Sequence, residues 1–271
     1  MQEVFFFFFI AITIIGLLIT FLGTILGSAV IFLFKKDQKI PEKLNEIILG
    51  FASGIMLSAS IFSLIIPAIE NESAIMPSYL VCAISIGLGA LFLFAIDKIV
   101  PHFHKGSGKE EGVHTASLSR TSKMLLAVTI HNIPEGLAVG ISFGITLGQG
   151  GDNAAILSSL MLAVGIAIQN IPEGLGVSLP LFSEGNSKSK SFLLGSLSGA
   201  VEPIAALFGF FLAYNIQSLM PWALCFAAGC MIYVIVEEMV PEVCKDSTKH
   251  HGVLSFFIGF LLMMILDSAL G

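Results

Sequence analysis

Two hexapeptides place polar chemistry inside the most apolar stretches of this chain: His-Asn-Ile-Pro-Glu-Gly at 131–136 and Gln-Asn-Ile-Pro-Glu-Gly at 169–174. Each contributes a carboxylate (Glu135, Glu173), an amide (Asn132, Asn170) and a proline (Pro134, Pro172), and a third carboxylate, Glu202, stands in the apolar run Leu-Ser-Gly-Ala-Val-Glu-Pro-Ile. On a helix, residues three and four apart share a face. His131 and Asn132 therefore flank Glu135, and Gln169 and Asn170 flank Glu173 in the same way. One imidazole, several carboxylates and amide oxygens make a mixed nitrogen and oxygen donor set, suited to zinc, iron, manganese or cobalt. Nothing in it resembles the sulfur-rich set that copper(I) prefers. Taken singly, either copy reads equally as a proline-kinked packing device, and His131 as an ordinary hydrogen-bonding residue. The duplication, with Glu202 added, favours a binding site.

The elements that hold these residues are membrane helices. The chain has 271 residues, 55% of them hydrophobic and 12% charged, with a mean hydropathy of +0.93. Soluble domains carry about 25% charged residues. Apolar windows long enough for a hydrocarbon core of about 30 Å recur near 5–34, 47–69, 79–96, 124–147, 154–182, 192–216, 222–240 and 253–270. The expected fold is thus an all-α integral membrane protein of eight helices, one transmembrane domain over 1–271. A β-barrel would alternate with period two over about 10 residues. The first span lacks the positive flank and the short apolar region of a cleaved signal peptide. Cys82, Cys225, Cys230 and Cys244 have no C-x-x-C spacing, so free thiols are expected.

All 13 basic residues fall in, or at the edges of, the first, third, fifth and seventh loops. The positive-inside rule then puts those loops in the cytoplasm and both termini outside. Glu3, Glu70, Glu72, Asp152 and Asp267 are left on the outer side. They read either as the remainder of that sorting or as a vestibule that concentrates cations. The connector 97–123 is polar and cytoplasmic, and it carries His102, His104 and His114, with His250 and His251 in the last cytoplasmic loop. These histidines are either solvated residues or a weak metal-collecting group. No nucleic-acid partner is expected at a net charge of −6.

Topology also sets depth. Glu135, Glu173 and Glu202 each fall about 9 to 11 residues from the cytoplasmic end of their spans, roughly 14–17 Å at 1.5 Å per residue. Three carboxylates at one depth, with no basic residue inside a span, call for a cation, since intramembrane charge costs about 2.5–3.5 kcal/mol per group. Pro134 and Pro172 free the carbonyls of Ile130 and Ile168, so both helices are expected to kink there. Broken helices of this kind line cavities in transporters.

At "HNIPEGLAVG" and "QNIPEGLGVSLPL" the sequence resembles the ZIP family of divalent metal transporters, most of all its prokaryotic GufA-like branch. The resemblance implies a 3+2+3 arrangement with inverted repeats, metal bound between helices 2, 4, 5 and 6, and a homodimer in the plasma or inner membrane. It implies metal carried toward the cytoplasm by alternating access, as substrate and not as a resident cofactor. Carried over by motif, His131, Glu135, Gln169 and Glu173 would hold one ion. Asn132, Asn170, Glu202 and the two bridging glutamates would hold a second. Met56, at matching depth in the second helix, would be a soft ligand. Close relatives often have aspartate where this chain has Asn170, which weakens the second position. Asp97, Glu237, Glu238, His102 and His104 would form an exit path, and Asp267 would take ions in from outside; each carboxylate reads equally as a solvated interfacial group.

Other classes fit less well. An intramembrane metalloprotease needs H-E-x-x-H, but Asn132 follows His131, so no enzyme is expected. A cation channel or a carrier of organic cations remains an alternative. The carrier would favour aromatic residues beside the carboxylates, and the single Trp222 sits at a helix end.

Overall fold

The computed structural model describes residues 2–35, 41–70, 76–99, 102–103, 110–111, 120–150, 153–245 and 250–270. Eight helices among them are long and apolar enough to cross a membrane. They are α1 (Gln2–Ala29, ending in a 3-10 turn at Val30–Leu33), α2 (Glu42–Glu70), α3 (Ser78–Ile99), α4 (Arg120–Gly148), α5 (Asn153–Ser183), α6 (Lys188–Asn215), α7 (Met220–Val243) and α8 (His251–Leu270). A two-residue antiparallel pair, His102–Phe103 with Glu110–Glu111, lies between α3 and α4. The chain is a multi-pass membrane protein. His104 lies outside the described residues, as does the side chain of His102.

Helices pack in four intimate pairs: α1 with α5, α4 with α6, α2 with α8 and α3 with α7. Glycine makes each approach close. A Cβ at Gly140 of α4 would collide with the backbone of Ala206 in α6, and one at Gly23 of α1 with the backbone of Ala167 in α5. Small residues let membrane helices exchange dispersion contacts along their backbones, where no hydrophobic force between helices exists. The outer faces stay apolar, as with Leu18, Leu22 and Leu26 on α1 and Phe257, Ile258 and Leu261 on α8, all exposed. Lipid is the solvent that suits them.

Helix continuity departs from expectation. α4 and α5 run unbroken as α-helix through Pro134, Pro172 and Pro180, because a proline removes only one bond of the ladder. The interruptions fall elsewhere. α2 passes through a π-helical stretch at Ser60–Ile65, and α7 through one at Ile235–Met239. In each a proline follows (Pro67, Pro241) that cannot bond to the carbonyl four residues back, and the widened turn takes up the mismatch. α6 breaks at Gly199–Ala200 into Lys188–Ser198 and Val201–Asn215.

Candidate metal centre

The α6 break builds the first part of the site. Pro203 has no N–H for the Gly199 carbonyl, and the Glu202 N–H bonds to that carbonyl instead, at 3.0 Å. The Ser198 carbonyl, which the Glu202 N–H would serve in a regular helix, is then free. The side chain of Asn132 on α4 takes it: Nδ2 donates to Ser198 O at 3.2 Å and to Glu202 Oε1 at 3.2 Å. Three helices meet around Glu202, which is fully buried. Asn170 Nδ2 on α5 donates to Glu202 Oε2 at 2.8 Å and to the Thr20 carbonyl on α1 at 3.3 Å. Thr24 Oγ1, also on α1, donates to Glu202 Oε1 at 2.9 Å.

Glu135 forms the second part. It is 1% exposed, and its Oε1 accepts from Gln169 Nε2 at 2.8 Å. Glu173, Glu202 and Asn170 lie near enough to act on its charge. Glu173 is half-buried on α5. Among the described residues, Asn132 Oδ1, Glu135 Oε2, Gln169 Oε1 and Asn170 Oδ1 are buried oxygens with no hydrogen-bonding partner. Buried acceptors are normally satisfied, and these four belong to one connected cluster. Among the described residues no three of His, Cys, Asp and Glu converge on an ion by themselves; amide oxygens make up the set.

His131 has carboxylate neighbours of its own. Its Nε2 lies 3.3 Å from Glu238 Oε1 and 4.0 Å from Asp97 Oδ1. The imidazole thus stands between the acid–amide cluster and two of the carboxylates expected on the exit side. Glu237 is exposed, pointing away from the side on which its neighbour Glu238 meets His131. Met56 is 1% exposed within the apolar core that also holds Ile55 and Met263. Asp267 is mostly buried on α8 and accepts from Ser63 Oγ of α2 at 2.6 Å.

Sequence reasoning missed α1. Thr13, Thr20, Thr24 and Ser28 are all buried, and with Gly16, Gly23 and Gly27 they form a small and polar stripe at helical spacing. In a helix otherwise rich in phenylalanine and leucine, that stripe was the readable sign of a face turned to the site.

The family model described as "ZIP Zinc transporter" matches residues 9–124 and 117–267. The chain is 31% identical to zinc transporter ZIP11 of Homo sapiens, over 95% of this chain and 97% of that protein. It is 38% identical to zinc transporter GufA of Myxococcus xanthus, over 82% of this chain and 85% of that protein. With zinc transporter ZIPB of Bordetella bronchiseptica it shares 34% identity, over 86% of this chain and 74% of the relative. With eight membrane helices, the paired hexapeptides brought onto one buried carboxylate–amide cluster and a family match over nearly the whole length, the chain belongs to the ZIP zinc transporter family.

Proposed function

We propose that the chain carries divalent transition-metal ions, zinc foremost, with iron, manganese and cadmium as further substrates, across the plasma or inner membrane toward the cytoplasm. The ion is held at the midplane and released by alternating access. The observation that carries this reading is the group of four buried, unpartnered acceptor oxygens on Asn132, Glu135, Gln169 and Asn170. An acceptor without a donor in a low-dielectric interior costs kilocalories, and a desolvated cation supplies the missing partner. His131, Glu135, Gln169 and Glu173 are the proposed holders of the principal ion, with Asn132, Asn170, Glu202 and Met56 as the remaining candidates. That several relatives are named zinc transporters supports zinc as the main substrate.

The proposed route out passes His131, Glu238 and Asp97, supported by their separations of 3.3 and 4.0 Å. Glu237, His102 and His104 are the remaining proposed exit residues. Asp267, hydrogen-bonded to Ser63, is the proposed outer acceptor. Helix pairing supports an inverted 3+2+3 repeat: exchanging α1 with α6, α2 with α7, α3 with α8 and α4 with α5 leaves the four close pairs unchanged. The π-helical stretches of α2 and α7 also exchange. Outward termini and a homodimer complete the proposal.

Uptake of a panel of metals into proteoliposomes tests it. Wild-type protein is expected to accumulate zinc, Glu173→Ala to abolish uptake while remaining folded in the membrane, and His131→Ala to reduce it severely. Undiminished zinc uptake by Glu173→Ala would sink the site assignment.

A further inference from the structure

Both oxygens of Glu202 already accept hydrogen bonds. Oε1 accepts from Thr24 Oγ1 at 2.9 Å and Asn132 Nδ2 at 3.2 Å, and Oε2 accepts from Asn170 Nδ2 at 2.8 Å. A carboxylate only accepts, so each asparagine must turn its NH2 group toward Glu202. The other hydrogen of each NH2 goes to a backbone carbonyl, Ser198 O for Asn132 and Thr20 O for Asn170. Neither amide can rotate by half a turn without setting oxygen against oxygen at two places. Their carbonyl oxygens are thereby fixed on the opposite side, where Asn132 Oδ1 and Asn170 Oδ1 are buried without partners. Gln169 is held in the same sense by Glu135, with its Oε1 left over.

From this geometry we infer that Glu202 is a positioning residue that aims two amide oxygens at the ion, and that the donor amide of Asn170 closes the place where a second ion would sit, so the centre takes one divalent ion. The charges agree. Glu135 and Glu173 neutralise one divalent cation, while the charge of Glu202 is met by three hydrogen-bond donors. A second ion would bring two positive charges against one remaining carboxylate and would displace those donors. With aspartate in place of Asn170, the donor on Oε2 becomes a second anion facing Glu202, and a cation between them is the natural remedy.

The inference rests on the metal-site reading, and the test separates the two. Full-length protein in lipid nanodiscs is equilibrated with Zn2+ and its metal content measured, for the wild type and for the isosteric variant Glu135→Gln. The count of interest is the Zn2+ held by wild type above the variant, which removes ions bound to the loop histidines from consideration. The expected difference is one. A difference of two overturns the single-ion inference and leaves the metal site standing; a difference of zero overturns the metal site itself. In an Asn170→Asp background the difference is expected to become two, and a value that stays at one overturns the role given to the Asn170 donor. Glu202→Gln is expected to keep one ion but bind it about 10- to 100-fold more weakly, the usual cost of losing an outer hydrogen-bonding partner. Unchanged affinity there overturns the positioning role. If Glu202→Gln does not fold, the wild-type and Asn170→Asp counts still decide.

Discussion

Replacing Glu135 by glutamine changes one atom and removes one charge, and its effects on stability and on metal binding should have opposite signs. In the protein without metal, Glu135 is a nearly fully buried carboxylate that accepts a hydrogen bond from Gln169 at 2.8 Å. Removing an intramembrane charge recovers about 2.5–3.5 kcal/mol on insertion scales. The metal-free variant should therefore be more stable by about 3 kcal/mol, a rise in unfolding temperature of roughly 6–12 °C at about 2–4 °C per kcal/mol. Binding moves the other way. A divalent ion about 4 Å from a carboxylate centre gains about 8 kcal/mol at an effective dielectric of about 20. Subtracting the roughly 3 kcal/mol that charge costs the empty site leaves a loss of about 5 kcal/mol, which is at least a thousandfold in affinity. Thermal unfolding followed by the fluorescence of Trp222, together with zinc titration of the same sample, measures both quantities. A variant that unfolds at lower temperature than wild type, or that binds zinc within tenfold of it, would refute the reasoning.

Three more outcomes are expected. Gly140→Ala drives a methyl group into the backbone of Ala206, so α4 and α6 must separate; folded yield should collapse, whereas Gly87→Ala, with open space around it, should be silent by size-exclusion chromatography. Zinc affinity should fall as pH is lowered through the carboxylate and imidazole range, because bound metal requires deprotonated ligands, and zinc titration across a pH series checks this. With Cys244, the exposed one of the four cysteines, first changed to serine, Ser107→Cys should react with an impermeant thiol reagent only from the cytoplasmic face; labelling from outside would invert the proposed topology.

The membrane class, the eight helices and the polar residues that mark the candidate centre were legible in the chain, because each follows from local composition. A span is about 20 apolar residues whatever surrounds it, and a charge inside it is costly enough to mark itself. Helical spacing placed Asn132 beside Glu135 and Asn170 beside Glu173 without knowledge of any neighbouring helix. What only the tertiary structure decided was pairing. Gln169, and not His131, donates to Glu135, while His131 turns to Glu238 and Asp97. Glu202 draws its donors from three helices, one of them α1, which carries no hexapeptide. Proline gave an equivocal cue: Pro134 and Pro172 left their helices continuous, whereas Pro203 followed a Gly199–Ala200 break that freed the Ser198 carbonyl for Asn132. The physical reason is range. Hydropathy and helical periodicity act within about 20 residues, whereas Glu202 meets Thr24 across 178 positions of sequence, and which donor reaches it is set by how closely the glycine faces let the helices approach.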